Sequence, residues 1–114
     1  MKTMSREMVE LVADCFKALA DPARLRLLVE LRKGEMTVGE LVEATELGQA
    51  NVSKHLALLH QLGYVRRRKE GLYSYYALAD AGIIQLCDIM CGRVEARVAS
   101  HSRTVTGRSV ARRR

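Results

Sequence analysis

The apolar positions fall into one helical stripe after another, and then their spacing changes. Met4, Met8, Leu11, Cys15 and Ala18 recur at helical intervals and predict a first helix over about residues 5–20. Asp21 is expected to cap a second helix, with Pro22 at its first position, where the missing N–H costs nothing. Leu25, Leu27, Leu28 and Leu31 give that helix its buried face, and Gly34 suits its C-terminal stop. Thr37 and Glu40 form a T-x-x-E capping box that opens a short third helix reaching about Thr45. Leu47, Gly48 and Gln49 make a tight turn into a fourth helix, with Val52, Leu56, Leu59 and Leu62 inward and Gly63 closing it. Two short helices joined by a Gly-containing turn are the helix-turn-helix pattern.

The period then shortens. Residues 64–69 and 72–78 are rich in β-formers and flank Glu70–Gly71, the expected hairpin tip. A two-stranded ribbon is marginal alone, so it must pack on the helices, with Tyr76 and Leu78 as its contacts. Asp80 is expected to cap a last helix to about Ser100, with Ile83, Cys87, Met90 and Val94 on one stripe. This order predicts a mainly α winged helix-turn-helix (α-α-α-α-β-β-α) over residues 1–100. A basic tail without periodicity, expected to be flexible, fills 101–114. The stripes of the first and last helices exceed what the central module can cover. A two-fold homodimer through those helices would bury both, and would set two reading heads about one helical turn apart on a palindromic site.

A chain of 114 residues has room for one such domain and little else. No apolar run approaches the ~20 residues of a membrane span. Residues 1–8 carry no apolar core of a signal peptide, so a cytoplasmic location is expected. The net charge of +6 is concentrated: the last fourteen residues hold five arginines and no acid. Setting those five aside leaves the basic residues only one ahead of the 13 acidic ones. From Leu47 to Lys69 there is no carboxylate, while Lys54, Arg66, Arg67, Arg68 and Lys69 all fall there. One acid-free basic stretch in a balanced domain points to a polyanion.

At these residues the chain is similar to the ArsR/SmtB family of bacterial repressors. The resemblance covers roughly residues 16–78. It runs through Ala18-Leu19-Ala20-Asp21-Pro22-Ala23-Arg24-Leu25 and Val38-Gly39-Glu40-Leu41. It continues in Gln49-Ala50-Asn51-Val52-Ser53-Lys54-His55-Leu56 and Leu62-Gly63-Tyr64-Val65, then Glu70-Gly71 and Tyr75-Tyr76. It implies a homodimeric repressor, released from a double-stranded operator with an inverted repeat when an inducer binds. Gln49, Asn51, Ser53, Lys54 and His55 lie near the start of the fourth helix and off its apolar face, the end that enters the major groove. Gln and Asn can bond adenine edges, while Ser, Lys and the helix N-terminus suit phosphate. The alternative is that Asn51 and Ser53 merely solvate an exposed face, or that His55 packs under the ribbon. Arg66, Arg67, Arg68 and Lys69 in the wing would reach phosphate or the minor groove.

Three cysteines are too few for a disulfide scaffold. Cys87 and Cys91 are one helical turn apart, with Cβ atoms ~5–6 Å from each other. A disulfide wants about 3.8 Å, whereas a soft ion with sulfur bonds of about 2.3 Å spans the two thiolates. Cys15 on the first helix is a candidate third ligand, and a three-thiolate site suits arsenic(III) or antimony(III) as inducer. A thiol redox or persulfide switch through Cys15 is the alternative, and inert packing on apolar stripes is the third. Thr37 stands where metal sensors of the resembled family often carry cysteine. The last helix offers Asp88, Glu95 and His101 rather than the paired zinc ligands of some members, which counts against a borderline-metal site. An effector that ignores cysteine, and an RNA- or protein-binding role for the same fold, stay open. A thiol enzyme is disfavoured, since no histidine other than His55, His60 and His101 could serve as its base.

Overall fold

The computed structural model describes residues 3–104, as two units: one reaching to Ala81 and one beginning at Gly82. In the first unit three of four helices start where a side chain accepts the N–H groups that a helix start leaves orphaned. Helix α1 (Arg6–Leu19) begins after Ser5, whose Oγ accepts from the Met8 N–H at 3.1 Å. Helix α2 (Pro22–Leu31) begins after Asp21, whose Oδ1 accepts from the N–H groups of Ala23 and Arg24 at 2.8 and 3.2 Å. Those backbone donors, Arg24's first, hold the Asp21 carboxyl below its ordinary pKa.

Strand β1 (Met36–Thr37) leads straight into helix α3 (Val38–Thr45). The capping box is complete: Thr37 Oγ1 accepts from the Glu40 N–H at 3.1 Å, and Glu40 Oε1 from the Thr37 N–H at 2.9 Å. Helix α4 (Gln49–Gln61) follows Gly48, which has no side chain to cap it.

Strands β2 (Val65–Glu70) and β3 (Tyr73–Leu78) then form the hairpin, and the sheet order is β1-β3-β2, all antiparallel. The ribbon therefore has three strands rather than the expected two. Met36 pairs with Tyr76 and Thr37 with Tyr75. Two residues are too short to show a period, and Thr37 serves twice because an N-cap and a strand both need extended backbone (φ −83°, ψ 167°). The tip is also one residue later than expected. Glu70 still pairs with Tyr73, so the two-residue loop is Gly71–Leu72, with Gly71 at φ +62°.

The core is a seam of aliphatic side chains from every layer. Leu27, Leu28 and Leu31 of α2 are buried where that helix packs on α3 (Leu41) and α4 (Val52, Leu56 and Leu59), and α4 in turn packs on β2, whose Val65 is buried. Leu62 departs from the expectation: it is the C-cap, 41% exposed, because α4 has ended at Gln61. Gly63 at φ +84° turns the chain, its N–H bonding the His60 carbonyl while the Tyr64 N–H bonds that of Leu59. That double closure ends α4 and carries the chain into β2.

The turn between α3 and α4 is made by Glu46, which adopts the left-handed conformation (φ 61°) and donates to the Val42 carbonyl. Gly48, expected to supply the turn, is ordinary extended backbone (φ −66°). Buried Thr45 stiffens the bend, donating to the Leu41 carbonyl at 2.7 Å and accepting from the Leu47 N–H at 3.3 Å. Arg26 adds a 2.6 Å bond from α2 to the Thr45 carbonyl.

In the second unit, helix α5 (Gly82–Thr104) begins two residues after Asp80 and outlasts its expected end near Ser100. Residues 101–104 of the expected tail are helical, and the rest of that tail lies outside the described residues. On α5 the large side chains of Leu86, Ile89, Met90, Val94 and Val98 are exposed. No helix among the described residues is long and apolar enough to cross a membrane.

The core and the cap differ in what they hold, and their loss should differ accordingly. Leu56→Ala is expected to lower unfolding stability by about 2–5 kcal/mol, because it leaves a cavity in the seam. Thr37→Ala should cost about 1 kcal/mol. Urea unfolding followed by circular dichroism gives both numbers, and equal losses would contradict this layering.

Candidate nucleic-acid interface and thiols

The two faces of α4 are fully separated. Val52, Leu56 and Leu59 are completely buried, while Gln49, Asn51, Ser53 and Lys54 are exposed. None of those four exposed side chains bonds to another described residue. They crowd the first turns of a helix whose leading N–H groups no side chain caps, a place that favours anions.

His55 sits apart from them. It is half-buried, and its Nδ1 lies 3.2 Å from Arg24 Nη1. A guanidinium only donates, so in this contact Nδ1 is the acceptor. The same guanidinium donates to the Ala18 carbonyl at 2.6 Å and the Lys17 carbonyl at 3.5 Å, and stands 3.9 Å from the Asp21 carboxylate. Arg24 thus ties the end of α1 and the start of α2 to the middle of α4. Its spacing of three from the capping aspartate was the signal in the sequence, but its long reach was not legible.

The four basic residues of β2 separate by what they touch. Arg68 donates to both oxygens of Glu35, at 3.0 and 2.8 Å, and also to Glu70, and its guanidinium stacks 4.5 Å over the Tyr75 ring. These carboxylates raise the Arg68 pKa further above its already high value, and Arg68 in turn holds Glu35 below the usual carboxylate range. Arg66 donates to the Ala79 carbonyl at 3.0 Å, and Arg67 to Ser74 Oγ at 3.3 and 3.2 Å. Lys69 is exposed and bonds to no described side chain. Cross-strand pairing places Arg67 and Lys69 on one face of the hairpin and Arg66, Arg68 and Glu70 on the other.

None of the three cysteines is joined in a disulfide. Cys15 is exposed on α1, and its carbonyl accepts from the Tyr64 hydroxyl at 2.8 Å. Burial, and then the Cys15 side chain beside it, push the Tyr64 phenol up to about 12. Cys87 is half-buried on α5, and exposed Cys91 lies one turn on with its Sγ 3.8 Å from Glu95 Oε2. Among the described residues, no three His, Cys, Asp or Glu side chains of one chain gather as a metal site.

A helix-turn-helix whose second helix runs by a closed turn into a three-stranded wing defines a winged helix-turn-helix domain. The model of the arsR family of bacterial regulatory proteins matches residues 21–67. The chain is 36% identical over 85 residues to a "transcriptional repressor SmtB homolog" of Synechocystis sp., covering 75% of this chain and 64% of that one. It is 42% identical over 71 residues to a "probable mercury resistance operon repressor" of Streptomyces lividans, covering 62% and 57%. The match therefore spans somewhat under two thirds of these relatives' lengths.

Among solved structures it is similar to the homodimeric winged helix-turn-helix DNA-binding domain of Mb0332 from Mycobacterium bovis, a possible ArsR-family regulator. The TM-score is 0.74 at 30% identity, over 90% of this chain and 97% of that one. The chain belongs to the ArsR family, a family of transcriptional regulators and not of enzymes.

The Glu35–Arg68 pair gives the wing a pH signature. Because the Glu35 pKa is lowered on folding, the pair is fully present above the unfolded value of 4.5 and is lost as pH falls through the depressed folded value. A sharp Arg68 Nε–H resonance should therefore persist down to pH 4.5 and broaden below it, while Glu35→Gln should show it broadened throughout. The same sharp signal in both proteins would show that Glu35 does not hold Arg68.

Proposed function

We propose that the chain is a sequence-specific DNA-binding repressor that reads an inverted-repeat operator as a homodimer. The observation that carries this is the two-sidedness of α4, with one face sealed in the core and the other presenting unengaged Gln49, Asn51, Ser53 and Lys54. In a major groove Gln49 and Asn51 would read base edges, while Ser53 and Lys54 meet phosphate. His55, turned toward Arg24, sets the pose of the helix. In the wing, Lys69, Arg67 and Arg66 serve the backbone or the minor groove, and Arg68 fixes the hairpin's angle through Glu35. The names of the two repressor relatives support the reading.

Dimerisation rests on uncovered apolar faces. Helix α1 leaves Met8, Leu11 and Phe16 exposed, and α5 leaves Leu86, Ile89, Met90, Val94 and Val98 exposed. A second copy is the economical cover, and the structural relative from M. bovis is itself described as homodimeric. Leu11→Glu with Ile89→Glu should convert the protein to monomer in analytical ultracentrifugation, with DNA affinity falling by orders of magnitude as avidity is lost. A dimer that survives both charges would place the interface elsewhere.

The inducer is directed at cysteine in this proposal. Cys87 and Cys91, one turn apart, are spaced for a soft thiophilic ion such as arsenic(III) or antimony(III) rather than for a disulfide with each other. Cys15, from the same or the partner subunit, supplies a third thiolate. The mercury-resistance relative is consistent with thiophilic chemistry.

The test is fluorescence anisotropy on the duplex upstream of the protein's own gene, with arsenite, antimonite or polysulfide added. One reagent should weaken binding at least about tenfold, and Cys87→Ser/Cys91→Ser should not respond to it. Response to polysulfide alone would transfer the role to a persulfide switch. No response to any reagent would leave a DNA-binding protein whose cysteines pack. In the same assay Lys54→Gln should lower the salt slope by about one.

A further inference from the structure

The tip of the wing carries an apolar residue with nothing around it. Leu72 is 97% exposed, more so than any other large hydrophobic side chain among the described residues. It forms the two-residue loop with Gly71, whose φ of +62° permits the tight reversal that throws Leu72 outward. Tyr73 beside it is 62% exposed. The geometry points to Leu72 as an apolar wedge that enters the minor groove of bound DNA and unstacks a base step there. The inference rests on the DNA-binding reading above and adds to it a residue that selects DNA by deformability.

Three observations favour a polyanion groove as its partner. The nearest acid, Glu70, is paired with Arg68, which weakens its repulsion of phosphate. Lys69, on the opposite face of the hairpin, is unengaged and available to it. The hairpin is braced at mid-length by the Glu35–Arg68 pair and by β1, so little ordering remains to be done on binding. Reach agrees as well. A six-residue strand extends roughly 20 Å at about 3.3 Å per residue. The minor groove flanking a major-groove helix lies about half a helical turn away, roughly 17 Å.

The side chain also defines what is read. Leucine offers no hydrogen bond, so it is blind to the acceptors on the groove floor and sensitive only to how easily a step opens. Pyrimidine–purine steps such as TA and CA/TG open most readily, and leucine is among the side chains that wedge them. The bases under the wing are accordingly selected for flexibility, apart from those bonded by α4.

The experiment uses full-length protein and a duplex selected by it from a random pool, with 2-aminopurine placed beside the flexible step under the wing. Wild type should brighten the 2-aminopurine on binding. Leu72→Ala should bind about tenfold more weakly and lose the brightening, with unchanged salt slope and thermal midpoint. Leu72→Met should restore both affinity and brightening, and replacing the flexible step with an A-tract should weaken wild type but not Leu72→Ala. Binding by Leu72→Ala within twofold of wild type, with the brightening kept, overturns the wedge and leaves the DNA reading intact. A reduced salt slope in Leu72→Ala would also overturn it, since the loss would then be of phosphate contacts. A wild type that selects no sequence from the pool removes the DNA reading and the wedge together.

Discussion

One face of α4 has to be completely dry for the other to be free. Every other feature of the first unit follows from that requirement. Val52, Leu56 and Leu59 are sealed against the leucines of α2 and α3, each contributing on the order of 1.5–3 kcal/mol when fully buried. A helix held so firmly along one side needs nothing from its solvent side, which is why Gln49, Asn51, Ser53 and Lys54 are left unengaged. What hydrophobic burial does not fix is the helix's position along its own axis, because aliphatic contacts are non-directional. The directional bonds do that. Arg24 holds His55 from below while bonding the carbonyls that end α1, and Arg26 and Thr45 lock the turn ahead of α4.

The wing follows the same division. Its charge would suggest four equivalent cations, but two carboxylates lie against the hairpin and one arginine answers both. A carboxylate next to a phosphate backbone is a liability unless paired, so Arg68 offsets one of the two negative charges on the approach and stiffens the hairpin through Tyr75 as well. The basic residues that remain for a polyanion are fewer than the sequence count suggests and better placed. An exposed ion pair is usually worth little alone, but a bidentate one stacked on an aromatic ring and joined to a second acid fixes an angle.

The local chemistry of the chain was legible, and the long-range chemistry was not. Asp21, Thr37 and Glu40 act on backbone within three residues, so their sequence positions alone located two helix starts. The buried faces of α2 and α4 were equally clear, because helical period depends only on neighbours. Leu62 misled because periodicity cannot see where a helix closes, and the closure at Gly63 turned it outward. Gly48 misled because glycine is the usual left-handed residue of a turn, and here Glu46, two positions earlier, takes that conformation instead. In the candidate site, the exposure of α4's leading polar residues could be read from the stripe opposite them. The engagement of Arg68 with Glu35, 33 positions away, and of His55 with Arg24, 31 away, had no local trace. The wing's third strand was hidden for the same reason, being two residues that act at a distance.

These bonds also bear on how a thiol event on α1 could matter to DNA. The last turn of α1 offers three carbonyls to the rest of the first unit. Cys15's is held by Tyr64, which immediately precedes β2, and those of Lys17 and Ala18 are held by Arg24, which holds α4. That turn is therefore bonded to both elements of the proposed interface, and exposed Cys15 carries its side chain beside Tyr64. Coupling between two sites needs an element with contacts to both, and a shift in helix packing of 1–2 Å is enough to break hydrogen bonds of this length. On the proposed function, modifying Cys15 would compete with bonds that set where α4 and the wing point. A three-thiolate ligand set would engage that turn together with α5, which gives a reason for the site to draw its cysteines from two helices.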